Sequence, residues 1–328
     1  MRPGPIQSPF TGEKSMKVIV IGSEGNIGHK LVEHLRQQDH DVLRSDVIQH
    51  FAEDYVQTDI VSLLDLYESA IRYKPDVIYH MAAMVSRVTC EAAPHLTIDT
   101  NLSGSNNVIQ LCKTLDAKMI NFSTSEIYGD IGGTLSEDRS DIRPNNRYGL
   151  TKYLAEQLVE YEVSNHGLKA VTVRPFMFYD EEETMGDHRS AMIRFAESLM
   201  CRKPITLHRN SKRSWLHMND AVQALENLMF VEKYEAVNIG HPNVVETEYI
   251  ARYMCDKTGV AFDEYVNVVD LPGQMTLEKH PGLDKQKSLL GFEPKISIEE
   301  GMDRVLAKVS ERLDITERAH NIYNTDIS

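Results

Sequence analysis

The chain has 328 residues, room for roughly two domains of about 150 residues each. With 41% hydrophobic and 26% charged residues it has an ordinary globular composition, which excludes collagen-like, fibrous and wholly disordered chains. Its 49 acidic against 35 basic residues give a formal charge of −14, which excludes a broad basic footprint for nucleic acid or anionic lipid, so any anionic ligand needs a local pocket.

Met1–Ser15 carries Pro3, Pro5 and Pro9 but no apolar stretch of a secretory signal, and is expected as a flexible extension. The first element is Lys17–Ile21, a β-branched run suited to a strand buried on both faces. Helical spacing of Ile27, Leu31 and Leu35 follows, then strand-like runs beginning at Asp41, Tyr55, Asp76, Lys118 and Ala170. Helices are predicted between them at 63–73, 94–115 and 148–165. Strands alternating with helices predict right-handed βαβ crossovers, hence an α/β fold with a doubly wound parallel sheet. We divide the chain into a main α/β domain at 16–175, a smaller α/β region at 176–316 partly interleaved with the sheet, and a tail at 317–328. No apolar run approaches the roughly 18 residues of a membrane span. Cys90, Cys112, Cys201 and Cys255 are far apart, which predicts free buried thiols in a reducing, cytoplasmic setting. The 13 histidines form no H-E-x-x-H or comparable cluster, so no metal is expected.

Between the first strand and first helix lies Gly22-Ser23-Glu24-Gly25-Asn26-Ile27-Gly28. Glycines at this spacing allow a tight turn, close approach of a pyrophosphate and packing of the helix on the strand, while the helix N-terminus faces the phosphate charge. Asp46 closes the second strand, where a carboxylate accepts hydrogen bonds from a ribose 2′-hydroxyl and repels a 2′-phosphate, which favours NAD over NADP. Arg44 and a plain turn role for Asp46 stand against that preference.

Tyr148 and Lys152 stand four residues apart in a helical stretch, one turn from each other on the same face. An ammonium there is expected to lower the phenol's pKa and make Tyr148 an acid/base, with Lys152 also free to hold a ribose. Phe122 to Gly129, with the hydroxyls of Ser123, Thr124 and Ser125, follows a predicted parallel strand at the end where open α/β sheets place their ligands.

Together with Thr58-Asp59-Ile60, His80-Met81-Ala82-Ala83, Asn101 before Gly104, Tyr148-Gly149-Leu150-Thr151-Lys152, Arg174-Pro175-Phe176, Arg213 with Asn219-Asp220, and Leu290-Gly291-Phe292, these residues make the chain resemble the extended short-chain dehydrogenase/reductase superfamily. The likeness covers about 17–312 and is greatest to its NAD-dependent nucleotide-sugar epimerases, dehydratases and decarboxylases. It implies that Gly22, Gly25, Asn26, Ile27, Gly28, Asp46, Asp59, Ile60, Met81, Ala82, Ala83, Asn101, Tyr148, Lys152 and Phe176 serve the NAD site. It implies that Thr124, Glu126, Tyr148 and Lys152 are catalytic, with Tyr148 as base, and that Val85, Ser125, Met177 and Arg213 meet a nucleotide-diphosphate sugar. Such enzymes oxidise a sugar hydroxyl, usually at C4, to a transient ketone, carry out a second step and commonly return the hydride. The Thr124-Ser125-Glu126 triplet resembles that of 4,6-dehydratases and uronic-acid decarboxylases, which makes Glu126 the candidate for proton transfer at C5 or C6; a purely structural role is the alternative. Relatives build a homodimer on the helices at 94–115 and 148–165, though internal packing explains their apolar stripes equally well.

Two departures bear on the ligand. Met177 and Asp180-Glu181 stand where the family carries Asn and Gly-Pro. The second basic residue expected after Pro272-Gly273 is missing, and Lys279, Lys212 or Arg189 could replace it or be mere surface charge. Three functions stay open: a recycling epimerase or dehydratase, a dehydrogenase or reductase releasing NADH at each turnover, and a non-catalytic NAD-binding protein.

Overall fold

The computed structural model describes residues 15–184, 190–271 and 276–325. The expected extension at 1–15 therefore lies almost wholly outside the described residues, as does Arg189. Among the described residues the strands are, in chain order, β1 (Lys17–Ile21), β2 (Asp41–Asp46), β3 (Tyr55–Gln57), β4 (Val77–His80), β5 (Lys118–Phe122), β6 (Thr134–Leu135), β7 (Ala170–Pro175), β8 (Met177–Tyr179), β9 (Ile205–His208), β10 (Lys212–His217), β11 (Ala236–Ile239), β12 (Val244–Glu246), β13 (Val266–Val269) and β14 (His280–Pro281). The helices are α1 (Asn26–Gln37), α2 (Leu63–Tyr73), α3 (Arg87–Ala92), α4 (Pro94–Ile98), α5 (Ser105–Leu115), α6 (Arg147–His166), α7 (Ala191–Met200), α8 (Met218–Asn227), α9 (Thr247–Thr258), α10 (Phe262–Tyr265), α11 (Asp284–Leu290) and α12 (Ile298–Thr325).

Seven strands form one sheet in the order β11-β7-β5-β4-β1-β2-β3, every neighbouring pair parallel. The chain direction across the sheet reverses between β1 and β4, and a crevice opens at their C-terminal ends. Side-chain alternation along β1 explains the layering. Val18 and Val20 enter the core that also holds Leu31 and Leu35 of α1 and Leu225 of α8, whereas Ile19 and Ile21 enter the core with Val108 and Leu111 of α5 and Val159 of α6. A third core joins α7, α9, α12, β9 and Trp215 of β10. The region after residue 175 is threaded into the main sheet, because β11 pairs with β7.

Three sequence expectations need correction. The helix expected at 94–115 is α4 and α5 joined through a π-helical segment, Asp99–Gly104, whose wider turn displaces side chains from regular helical spacing. The stripe Val108, Leu111 and Cys112 is buried in the core and offers no face to a partner. Cys201 is exposed, while Cys90, Cys112 and Cys255 are buried, and all four are free. The segment expected as a tail from 317 is helical as far as Thr325.

Candidate active site

The glycine turn leaves β1 and enters α1 at the reversal point of the sheet. A Cβ on Gly28 would sit 2.1 Å from the Gly22 carbonyl oxygen, so glycine alone lets α1 close onto the turn. Gly25 caps α1 without a side chain to take up the first N–H groups, and Asn26 and Ile27 at the helix start line a cavity of about 670 Å³. An uncapped helix N-terminus facing a cavity suits a phosphate. Met81 and Ala82 both donate their N–H to the Ile21 carbonyl, which holds the half-buried Met81-Ala82-Ala83 segment against the turn.

At the outer edge, Asp46 accepts from the backbone N–H of Glu24 at 3.0 Å and of Ile48 at 3.3 Å. Arg44 is engaged by Glu24 and Asp54, so it is not free to meet a 2′-phosphate. Asp59 is exposed and accepts from the Val61 N–H. Ile60 is buried in the core, tight against Gly104.

The reaction end is built on β5 and α6. Thr124 and Ser125 follow β5, and Thr124 Oγ1 accepts from the Glu126 N–H at 3.2 Å, starting a single turn of 3₁₀ helix, Ser125–Tyr128. Asn146 caps α6 by accepting from the Gly149 N–H at 2.9 Å, and its Nδ2 donates to Glu126 Oε2 at 3.0 Å. A Cβ on Gly149 would fall 2.6 Å from the Glu126 carbonyl oxygen, so this glycine allows α6 to dock directly on the Glu126 turn. Buried Asn101, on the π-helical segment, accepts from Met84 N–H at 2.7 Å and donates to Met84 O and to Thr151 Oγ1. It thereby ties the loop after β4 to α6.

The electrostatics differ from the sequence expectation. Burial drives the Tyr148 phenol well above its usual range; hydrogen bonding from Thr124 opposes this and the Glu126 charge adds to it. Lys152 is not among the groups that shift the phenol, so the expected depression does not appear and burial leaves the phenol neutral. Lys152 is itself pulled down to about 8 by burial, and its Nζ is buried with no hydrogen-bond partner among the described residues. Burial together with the Lys152 charge keeps neighbouring His80 neutral, with a pKa near about 3. Burial would raise the Glu126 carboxyl, but the Lys279 ammonium at 2.5 Å holds it ionised, down to about 2.

Ten sequence candidates meet in the cavity: Asn26, Ile27, Val85, Thr124, Ser125, Glu126, Tyr148, Phe176, Met177 and Arg213. Gly22, Gly25, Gly28, Asp46, Asp59, Ile60, Met81, Ala82, Ala83, Asn101 and Lys152 are not among the residues that line it. Arg213 gives its Nη1 hydrogens to the carbonyls of Lys212 and Leu277 and one of Nη2 to Thr276, which leaves Nε–H and one Nη2–H for a ligand. Lys212 is a surface residue paired with Glu278 and Glu246. Lys279 is fully buried against Glu126 and Ser125. Sequence reasoning missed Asn146 and Arg87. Asn146 had a signal, an Asn just before a helix with a close-packing glycine three residues on; Arg87 had none.

A parallel sheet with a glycine turn at its reversal point, and a Tyr/Lys helix beside a large cavity, defines a dinucleotide-dependent enzyme of the short-chain dehydrogenase/reductase type. The chain belongs to the NAD-dependent epimerase/dehydratase family, whose model matches residues 18–240. It is an NAD-dependent enzyme of the epimerase/dehydratase kind. It is 28% identical over 330 residues to UDP-glucuronic acid decarboxylase 6 of Arabidopsis thaliana, covering 92% of each chain. Its fold matches the UDP-glucose 4-epimerase of Thermotoga maritima solved with UDP-glucose (TM-score 0.83, 21% identity, 91% of this chain and 100% of that one). It also matches the dTDP-glucose 4,6-dehydratase of Streptomyces venezuelae solved with NAD (TM-score 0.79, 20% identity, 90% and 97%).

Proposed function

We propose that this enzyme oxidises a ring hydroxyl of a nucleotide-diphosphate sugar to a transient ketone, at C4, and that Glu126 then moves a proton at a neighbouring carbon before the hydride is returned. The observation that carries the reading is the meeting of Thr124, Glu126 and Tyr148 in one cavity, with the Lys152 Nζ buried and without a hydrogen-bond partner among the described residues. The residues fit NAD: the Lys152 Nζ, without a hydrogen-bond partner among the described residues, suits the nicotinamide ribose, the uncapped start of α1 suits the pyrophosphate, and Asp46 suits the adenosine ribose. Bound NAD supplies the hydride acceptor and a positively charged ring.

Thr124 orients the sugar hydroxyl, and Tyr148, once deprotonated under the combined positive charge beside it, accepts the hydroxyl proton as the C–H electron pair departs with the hydride. The ketone acidifies the adjacent C–H. Because Glu126 is ionised at rest, it enters this second step as the proton acceptor. Arg213 offers its two remaining donors to the diphosphate. A second reading, a dehydrogenase that releases NADH, is favoured by Met177 on the cavity wall where the family carries Asn.

The proposal includes a cytoplasmic location, supported by the four unpaired cysteines. It also includes a homodimer, supported by Leu150, Leu154 and Tyr161 exposed on α6 beside Leu96 and Ile98 of α4.

Mass spectrometry of small molecules released by denaturing the purified protein is expected to find NAD. With UDP-glucuronic acid and UDP-glucose as probes, Tyr148→Phe should keep the fold and lose about 10²–10⁴-fold in turnover. Absorbance at the nicotinamide wavelength should stay level during turnover. Full activity of Tyr148→Phe sinks the mechanism, and steady NADH accumulation selects the second reading.

A further inference from the structure

The mechanism above makes no use of Arg87. Arg87 is the first residue of α3 and lines the same cavity as Thr124, Glu126 and Tyr148. Its positive charge acts on Glu126, Arg213 and Lys279, so three cations and one carboxylate crowd one end of the cavity. Two of the cations are committed: Lys279 to Glu126 at 2.5 Å, and Arg213 largely to backbone carbonyls. Among the described residues, no hydrogen-bond acceptor or carboxylate pairs with the half-buried Arg87 guanidinium. In a chain of net charge −14, this local excess of positive charge needs an anion from outside.

Position ties Arg87 to the reacting groups. α3 packs against α6, which carries Tyr148, and Arg87 and Tyr148 line the same cavity. Arg87 thus lies at the end where the sugar reacts.

We propose that Arg87 is a specificity-determining residue, and that the sugar it reads carries a carboxylate next to the reacting carbon. This rests on the nucleotide-sugar reading above. The guanidinium holds its N–H donors in a planar fork that matches a carboxylate with two parallel hydrogen bonds. A neutral hexose filling the same space would strip water from Arg87 and offer no charge in return, which disfavours it. With the C4 hydroxyl held by Thr124 and Tyr148, a carboxylate on C5 falls on the adjacent wall. Glu126 is already neutralised by Lys279, so it does not repel that carboxylate as a lone anion would.

Trp215 is the single tryptophan and lines the cavity, so its fluorescence reports occupancy. Full-length protein supplied with NAD is titrated with UDP, UDP-glucose and UDP-glucuronic acid. The native protein should bind UDP-glucuronic acid at least about tenfold more tightly than UDP-glucose, roughly the worth of one charged hydrogen bond. Arg87→Met should erase that preference while affinities for UDP and UDP-glucose stay within about twofold, and Arg87→Lys, which keeps the charge and loses the fork, should retain part of it. Equal weakening of all three ligands by Arg87→Met would make Arg87 a diphosphate ligand and overturn the proposal, as would an unchanged preference. Should Arg87→Met not fold, loss of the preference in Arg87→Gln is read in the same way. Binding of none of the three by native protein breaks the nucleotide-sugar reading itself and this inference with it, an outcome distinct from binding without preference.

Discussion

The two ends of the cleft are built differently. At the cofactor end, the turn from Gly22 to Gly28 is one continuous stretch whose atoms restrain one another, with a Cβ on Gly28 excluded by Gly22 six residues earlier. At the substrate end, Glu126 is held by Lys279, 153 residues away, and by Asn146. A site made from neighbouring residues is specified by local geometry. A site made from remote ones depends on the whole fold being in place, and a single lost partner leaves a buried charge behind.

The comparison breaks first at the cofactor end. Gly28→Val should cost about 3 kcal/mol or more, the scale of overpacking, and abolish NAD retention, read by urea unfolding and by the NAD released on denaturation. A variant with native stability and bound NAD would show that the turn has slack.

The substrate end should respond through charge. Lys279→Met leaves Glu126 buried without its cation and should cost about 3 kcal/mol at pH 7, on the scale for breaking a buried pair. The sign changes with pH. In the native chain Glu126 sits at about 2, so its contribution is present above its ordinary value of 4.5 and fades as pH falls toward 2. In Lys279→Met burial raises the carboxyl above that value, so the variant regains stability as pH falls through the raised pKa. Urea midpoints of the two proteins should therefore converge between pH 7 and 4, and parallel curves would show that Lys279 contributes packing alone.

The smallest effect lies outside both ends and calibrates them. Glu226 on α8 joins His34 of α1 at 2.7 Å and His40 at 3.4 Å. Burial would raise its carboxyl, yet these histidines bring it down to about 2. Its contribution is present above 4.5 and is lost as pH falls toward 2. Glu226→Gln should cost about 1–2 kcal/mol at pH 6 and flatten the acid limb of the stability curve without changing NAD content. Loss of NAD in this variant would make the α1–α8 contact part of the cofactor end.

The parallel sheet was legible in the sequence because β-branched runs and helical spacing are local patterns, and the glycine turn because its constraints lie within seven residues. Tyr148 and Lys152 were legible as a pair, but not their protonation: the phenol's elevation comes from burial by distant segments, which no four-residue spacing encodes. Lys279 read equally well as surface charge until β14 paired with β6 and carried it under Glu126. Arg87 carried no signal in the sequence, since the helix it starts, α3, was not among the predicted ones.

By itself, then, the amino-acid order determined the strand-and-helix rhythm, the phosphate-binding turn and the acid/base pair, each a matter of residues close enough in the chain to restrain one another. Only the tertiary structure decided which charges are buried, which are paired and which face the cavity. Solvation and Coulomb energy depend on distance through space, and the chain brings those groups together only when it folds.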